Sequence, residues 1–317
     1  MTAFRYAWIS LVQTALRGFP FPTKTGLVQI GHPDRKSPVF LTCNFQLTVE
    51  RVKRSLTGLD CYLLVANSRG INVWCAATGG KFTNHDVISV LKTSGIETLV
   101  DHKRLILPQL AATGLEPAVI REKTGWRCLW GPVYARDIPA FIHQGYHKTR
   151  EQSQVLFSGM QRLEMAVMWA FPFSVISSAI LIFFWPSAVL PLAGLLWGLS
   201  LGIFAAFPWY ERWLNPKREG TALSSYTIIF DLTKVPFAIW ILFLGGLALV
   251  MLLSGDFSFP RFWHWGLASF AVVLLLSIDL MGSTPTYKSG LHDDRFLAIT
   301  LDKNRCKGAG FCEQVCP

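Results

Sequence analysis

From residue 165 onward the chain carries four apolar stretches in close succession, each long enough to cross a lipid bilayer. They read "MAVMWAFPFSVISSAILIFFW" at 165–185, "AVLPLAGLLWGLSLGIFAAF" at 188–207, "VPFAIWILFLGGLALVMLLSG" at 235–255 and "FWHWGLASFAVVLLLSIDLM" at 262–281. A transmembrane helix needs about 20 such residues, and four runs in series exceed what the core of a soluble domain uses. They account for a hydrophobic content of 51% in 317 residues and a mean hydropathy of +0.35. Arg212, Lys217 and Arg218 occupy the second connection, and Lys288, Arg295, Lys303, Arg305 and Lys307 follow the last span. The other two connections are nearly without Lys and Arg, so both termini of a multi-pass inner-membrane protein are expected in the cytoplasm. The first thirty residues, interrupted by Arg5, Gln13, Arg17 and Pro20, hold no apolar run of signal-peptide length. Asp231, Lys234 and Asp279 fall near span ends and are read as interfacial. The net charge of +10 flanks apolar segments without alternating with aromatics, which argues for membrane topology and against nucleic acid as a partner.

The residues before the spans have a different character. "PVFLTC" (38–43) and "CYLLVAN" (61–67) are apolar runs of strand length, and "LTVERVKRSLTG" between them has helical spacing and ends on a glycine. "NHDVISVLKTSG" (84–95) repeats the device, with Asn84 expected as N-cap, Val87, Val90 and Leu91 on one face, and Gly95 as the stop. The alternation predicts an α/β domain with a largely parallel sheet and covering helices. The expected organisation is an N-terminal segment (1–25), the α/β domain (26–150), a linker (151–164), an all-α transmembrane domain of about four helices (165–282) and a cytoplasmic tail (283–317).

The seven cysteines divide into four before residue 130 and three in the last twelve residues. An odd, uneven set without an export signal points to metal or thiol chemistry rather than a disulfide framework. The sequence closes on "ITLDKNRCKGAGFCEQVCP", in which Cys306, Cys312, Cys316 and Pro317 match the first, third and fourth ligands and the proline of a bacterial ferredoxin run. Ala309 holds the second ligand position, so a 4Fe-4S cluster forms only if the chain continues or a partner supplies ligands.

The third early cysteine-bearing stretch, "GINVWCAATGGK" (70–81), sets Cys75 between a tryptophan and two alanines. A lone cysteine is commonly a small buried hydrophobe, and that reading stands beside a chemical one. A phosphate loop is excluded, because Gly80-Lys81 has Cys75 and Phe82 where Gly and Ser/Thr belong. No dinucleotide GxGxxG follows a strand. A nucleophilic role needs a positioned histidine, for which His85 and His102 are available. As a metal ligand, the thiolate would be a soft donor, and the small neighbours leave room for a large flat group such as a corrin ring.

"NVWCAA" with the glycine-rich stretch after it resembles the cap-helix motif of the mercury-methylation corrinoid protein (HgcA) family and of the related corrinoid iron-sulfur protein of the CO dehydrogenase/acetyl-CoA synthase system. "SPVFLTCNFQLT", "GLDCYLLVANSRGINVWCAA", "DHKRLILPQLAATG" and "GPVYARDIPAF" extend the likeness over most of residues 26–146. The resemblance implies a cobalamin-type corrinoid with Cys75 as lower axial ligand to cobalt, capped by Asn72, Val73, Trp74, Ala76 and Ala77. It also implies that Thr42, Asn44, Phe45, Leu107, Pro108, Gln109, Gly131 and Pro132 border the ring. The sequence departs from the family where "CAAGKGTFGT" becomes "CAATGGKFTN", which puts Thr78 in place of a glycine and moves the lysine two places, to Lys81. The membrane part of the family is described with five spans, against four counted in this sequence.

The activity implied is corrinoid-dependent methyl transfer: a methyl group taken from a donor such as a methylated folate or its methyltransferase, carried on cobalt, and passed to an acceptor. Hg(II) is one expected acceptor, and another is that of acetyl-CoA synthase-like one-carbon chemistry. A ferredoxin-type electron donor would restore oxidised cobalt. A membrane electron-transfer or scaffold protein that has lost its corrinoid is the alternative from a different class.

Overall fold

The computed structural model describes residues 3–214 and 225–278. These divide into two compact units, one of them mainly the residues up to Leu156 and the other mainly those from Phe157, with Thr14–Leu16 grouped with the second. Cys306, Cys312 and Cys316 lie outside the described residues, as do Lys217, Arg218, Asp279 and the basic tail.

The first unit begins with α1 (Ala3–Ala15) and β1 (Gly26–Ile30), then β2 (Val39–Cys43), α2 (Gln46–Ser55) and β3 (Cys61–Ala66). The short α3 (Val73–Thr78), α4 (Asn84–Thr93) and α5 (Ile96–Leu99) lead to β4 (Arg104–Leu107), and α6 (Pro117–Thr124), β5 (Arg127–Trp130) and α7 (Ile138–His143) complete it. The five strands form one sheet in the order β1-β3-β2-β4-β5. β2 runs parallel to β3, with Val39 opposite Tyr62 and Cys43 opposite Ala66, and β4 runs parallel to β5, with Leu107 opposite Trp130. Only β1 departs from the expected parallel pattern. It pairs antiparallel to β3, from Gly26 opposite Val65 to Ile30 opposite Cys61, so the sheet is mixed.

The sheet is covered on both faces, which is why β2 and β3 read as unbroken apolar runs. Val39, Leu41, Cys43, Tyr62, Leu64, Ala66, Leu105 and Leu107 enter one core with Val87, Val90 and Leu91 of α4 and Ile120 of α6. Phe40, Leu63, Val65 and Ile106 enter the other with Val49 of α2 and Ile138 and Phe141 of α7. The helix signals were read nearly in place. Thr83 rather than Asn84 caps α4, because its side chain and the Asp86 carboxylate form a reciprocal capping box. Asn84 is the first helical residue, and its Oδ1 accepts the Glu116 N–H at 2.7 Å, tying α4 to the start of α6.

The hydrogen bonds of this unit reach beyond the expected domain of residues 26–150, and beyond the residues 26–146 over which the family likeness extends. The Gln13 Oε1 accepts the Leu47 N–H at 2.9 Å, Phe21 N donates to Gly70 O at 2.8 Å, and Thr23 N donates to Asn44 O at 2.8 Å. At the other end Val133 N donates to Gln152 O at 2.9 Å, and the Tyr134 hydroxyl accepts the Leu156 N–H at 2.8 Å. Residues 3–156 produced alone should therefore resist protease for longer than residues 26–146, which lack all these bonds. Matched digests of the two segments check this, and equal lifetimes would remove the flanks from the folded unit.

The second unit contains α8 (Gly159–Phe184), α9 (Val189–Leu214), α10 (Ser225–Leu253) and α11 (Phe259–Ile278). Three stretches of these helices, Gly159–Phe184, Pro186–Tyr210 and Phe259–Leu276, are long and apolar enough to cross a membrane by length and composition. Phe237–Leu253 of α10, on the third expected span, is a shorter apolar helix among the described side chains. Within this unit several polar side chains find partners at helix contacts. The Trp197 indole N–H donates to Ser174 Oγ at 3.2 Å, and Ser200 Oγ donates to Ala166 O at 2.9 Å. In a bilayer core, which lacks water, such bonds would satisfy these groups.

Candidate functional site

β2, β3, β4 and β5 point the same way, so the residues that follow them gather along one edge of the sheet. The chain passes from β2 to β3 on one side and later returns to lay β4 on the other side of β2, which places a reversal of strand order between β2 and β4. Open α/β sheets bind ligands outside the carboxyl ends of their strands at such a reversal. All four segments singled out in the sequence lie along this edge. Thr42, Asn44 and Phe45 end β2 or follow it; Asn72 to Ala77 follow β3; Leu107, Pro108 and Gln109 end β4 or follow it; Gly131 and Pro132 follow β5.

Their exposures differ sharply. Asn72, Trp74, Cys75 and Pro108 reach the surface, whereas Thr42, Asn44, Phe45, Val73, Ala76, Ala77, Leu107, Gln109, Gly131 and Pro132 are buried. Most of the set thus shapes the edge from beneath.

α3 is arranged so that Cys75 faces outward. Asn72 is its N-cap and its Oδ1 accepts the Cys75 N–H at 3.0 Å, while Val73, Ala76 and Ala77 turn into the core. Beyond the helix, Lys81 N and Phe82 N donate to Ala76 O at 2.7 and 3.0 Å, and the Phe82 ring is fully buried. Thr78, the departure from the family pattern, is accommodated, since its hydroxyl donates to Trp74 O at 2.7 Å within the helix. The Lys81 carbonyl receives the Arg69 guanidinium at 2.7 Å.

Asn44 is the hub of the edge. Its side-chain oxygen accepts Ser68 N at 2.9 Å, Ser68 Oγ at 3.0 Å and Gly70 N at 2.9 Å, so the end of β2 grips the loop that launches α3. Gly70 itself has φ +73° and a Cβ there would come within 2.5 Å of Pro22 N. Gly114, which sequence reading passed over, lies under the end of α3, where a Cβ would meet Phe82 O at 2.7 Å and Ala77 O at 2.8 Å. A run such as "AATGLEP" offered no signal beyond the glycine itself.

The thiols separate into two kinds. Burial raises the pKa of Cys43, and it raises those of Cys61 and Cys128 to about 12, so all three stay protonated at neutral pH. Cys75 is exposed, and the reading of it as a small buried hydrophobe does not describe it. Residue-resolved alkylation of the folded protein at pH 8 should modify Cys75 at about tenfold or more the rate of Cys43 and Cys61, because access and thiolate character set the rate. Similar rates would show that the edge is covered. His102 is no partner for Cys75. It precedes β4 at the opposite edge of the sheet, with its Nε2 3.0 Å from Ser37 O.

The resemblance implies a corrinoid, and the residues present fit one in that the edge presents a soft sulfur donor at its surface. Among the described residues no group of three or more His, Cys, Asp or Glu forms a separate metal site.

Comparison with known proteins finds matches over most of the first unit. Residues 12–142 match the family model described as CO dehydrogenase/acetyl-CoA synthase delta subunit. The chain is 35% identical over 127 residues to the acetyl-CoA decarbonylase/synthase complex subunit gamma of Methanopyrus kandleri, covering 39% of this chain and 27% of that one. It is 36% identical over 129 residues to the subunit of the same name from Archaeoglobus fulgidus, covering 40% and 27%. The Methanothermobacter thermautotrophicus subunit is 37% identical over 125 residues, covering 39% and 27%. The chain therefore spans about a quarter of the length of these curated relatives. Of the two systems that the sequence resembles, the matches are to the acetyl-CoA one.

Proposed function

We propose that the first unit is a corrinoid-binding methyl carrier of acetyl-CoA synthase-like one-carbon chemistry, held at the cytoplasmic face of a membrane by the helices that follow. The observation that carries this reading is the exposed thiol of Cys75 at the carboxyl edge of a unit in which Cys43 and Cys61 are buried and Cys128 is half-buried. When bound, the corrinoid supplies a cobalt centre able to accept and release a methyl group. The protein supplies position and surroundings. Cys75 Sγ would face the metal as a soft donor, held by the Asn72 cap and by the burial of Ala76 and Ala77. Trp74, the partly exposed neighbour of Cys75 in sequence, would help to shield the sulfur once a ring is bound.

The donor, such as a methylated folate or its methyltransferase, and a ferredoxin-type electron source are part of the same proposal. So are protein partners of the kind implied by relatives named as complex subunits. Cobalt content and the absorption spectrum of the purified full chain test the reading. A corrinoid spectrum with about one cobalt per chain is expected; folded protein that stays colourless after incubation with cobalamin would leave the scaffold alternative. Methyl transfer offered in parallel to Hg(II) and to a thiol acceptor would then separate the two methyl-carrier readings.

A further inference from the structure

α1 buries only part of its surface. Ile9 enters the core and Gln13 bonds to Leu47, while Phe4, Trp8 and Leu11 recur at four- and three-residue intervals and so line another face. They are 81%, 61% and 65% exposed, and Phe19 beyond the helix is 53% exposed. All three helix residues precede residue 12, where the match to the delta-subunit family begins, so the stripe is not explained by what that family shares.

The surroundings of the stripe are basic. Residues 1–26 contain Arg5, Arg17 and Lys24 and no Asp or Glu. Arg54 of the neighbouring α2 sits 4.0 Å over the Tyr6 ring, on the side of α1 away from the stripe, which leaves Arg5 as the basic residue of the helix that flanks the stripe. A helix with aromatic and aliphatic side chains on one face and basic groups around it fits the boundary between acyl chains and anionic headgroups. Tryptophan and phenylalanine at such a boundary gain burial without losing polar contacts. The same chain continues into Gly159–Phe184, long and apolar enough to span a bilayer, directly after the first unit ends at Leu156. A lipid surface is therefore present at high effective concentration.

We infer that α1 is an interfacial membrane anchor, with Phe4, Trp8 and Leu11 inserted among the lipids and the adjacent basic residues on anionic headgroups. The inference goes beyond methyl carriage and does not depend on a bound corrinoid. The test uses the full chain in nanodiscs of phosphatidylcholine with or without phosphatidylglycerol. The photoreactive residue p-benzoylphenylalanine replaces Phe4, Leu11 or, as a control on the exposed side of α4, Lys92. Mass spectrometry of the irradiated peptides should show lipid adducts at positions 4 and 11 several-fold above those at 92, with yields that fall when phosphatidylglycerol is omitted. Adducts to peptides of a second copy, or equal lipid yields at all three positions, would overturn it.

Discussion

Replacing Cys75 by alanine is expected to leave the first unit folded and to abolish methyl turnover. The side chain is exposed, so its loss opens no cavity, and Ala suits the first turn of a helix capped by Asn72. Melting should be within about 0.5 kcal/mol of wild type, as for ordinary surface changes. Turnover should fall by more than about 100-fold, beyond the 10–100-fold typical of residues that merely support a metal ligand. The corrinoid spectrum should change as well, and Cys75→His should give a third spectrum because nitrogen is a harder donor than sulfur. Identical spectra for wild type and both variants, in protein that binds the corrinoid, would remove Cys75 from the metal.

The second large effect is on stability. Asn44→Ala would strand the buried N–H groups of Ser68 and Gly70, which the Asn44 side chain now accepts. At about 1–3 kcal/mol for each orphaned donor, the first unit should lose about 3 kcal/mol. For a unit of this size that corresponds to a melting temperature lower by about 10 °C. Ser68→Ala removes only the hydroxyl contacts to Asn44 and Ile71 and should cost about 1 kcal/mol. Thermal unfolding of the two variants in detergent, read by protease sensitivity, distinguishes these outcomes. Equal losses would mean that the loop is held by something other than Asn44.

Asn44 also marks where sequence reading reached its limit. The resemblance placed it beside the ring, but its acceptor capacity is spent on partners 24 and 26 residues away. Side-chain hydrogen bonds over such separations leave no periodic trace. β2 and β3 were legible because burial on both faces makes a strand continuously apolar. β4 and β5, four residues each and opening on Arg104 and Arg127, were too short and too charged at the start to stand out. β1 was missed because an antiparallel edge strand of partly exposed residues lacks that uniform pattern. Thr83 was passed over as a cap because its partner three residues on is Asp86 rather than Glu or Gln. The apolar spans were the most legible elements, since hydropathy over that length has few other causes.

Burial of Cys43 and Cys61 and half-burial of Cys128, with Cys75 left outside, give oxidants a preferred address in the first unit. Sulfenic and sulfinic acids form where a thiol is both accessible and able to ionise; burial denies Cys43 and Cys61 both conditions and holds the half-buried Cys128 protonated. A sample handled in air would accumulate damage on one sulfur while its core and its melting curve remained those of the native protein. Such material would pass every assay of folding and be inert, so an inactive preparation of this protein calls for the mass of the Cys75 peptide before any conclusion about its chemistry.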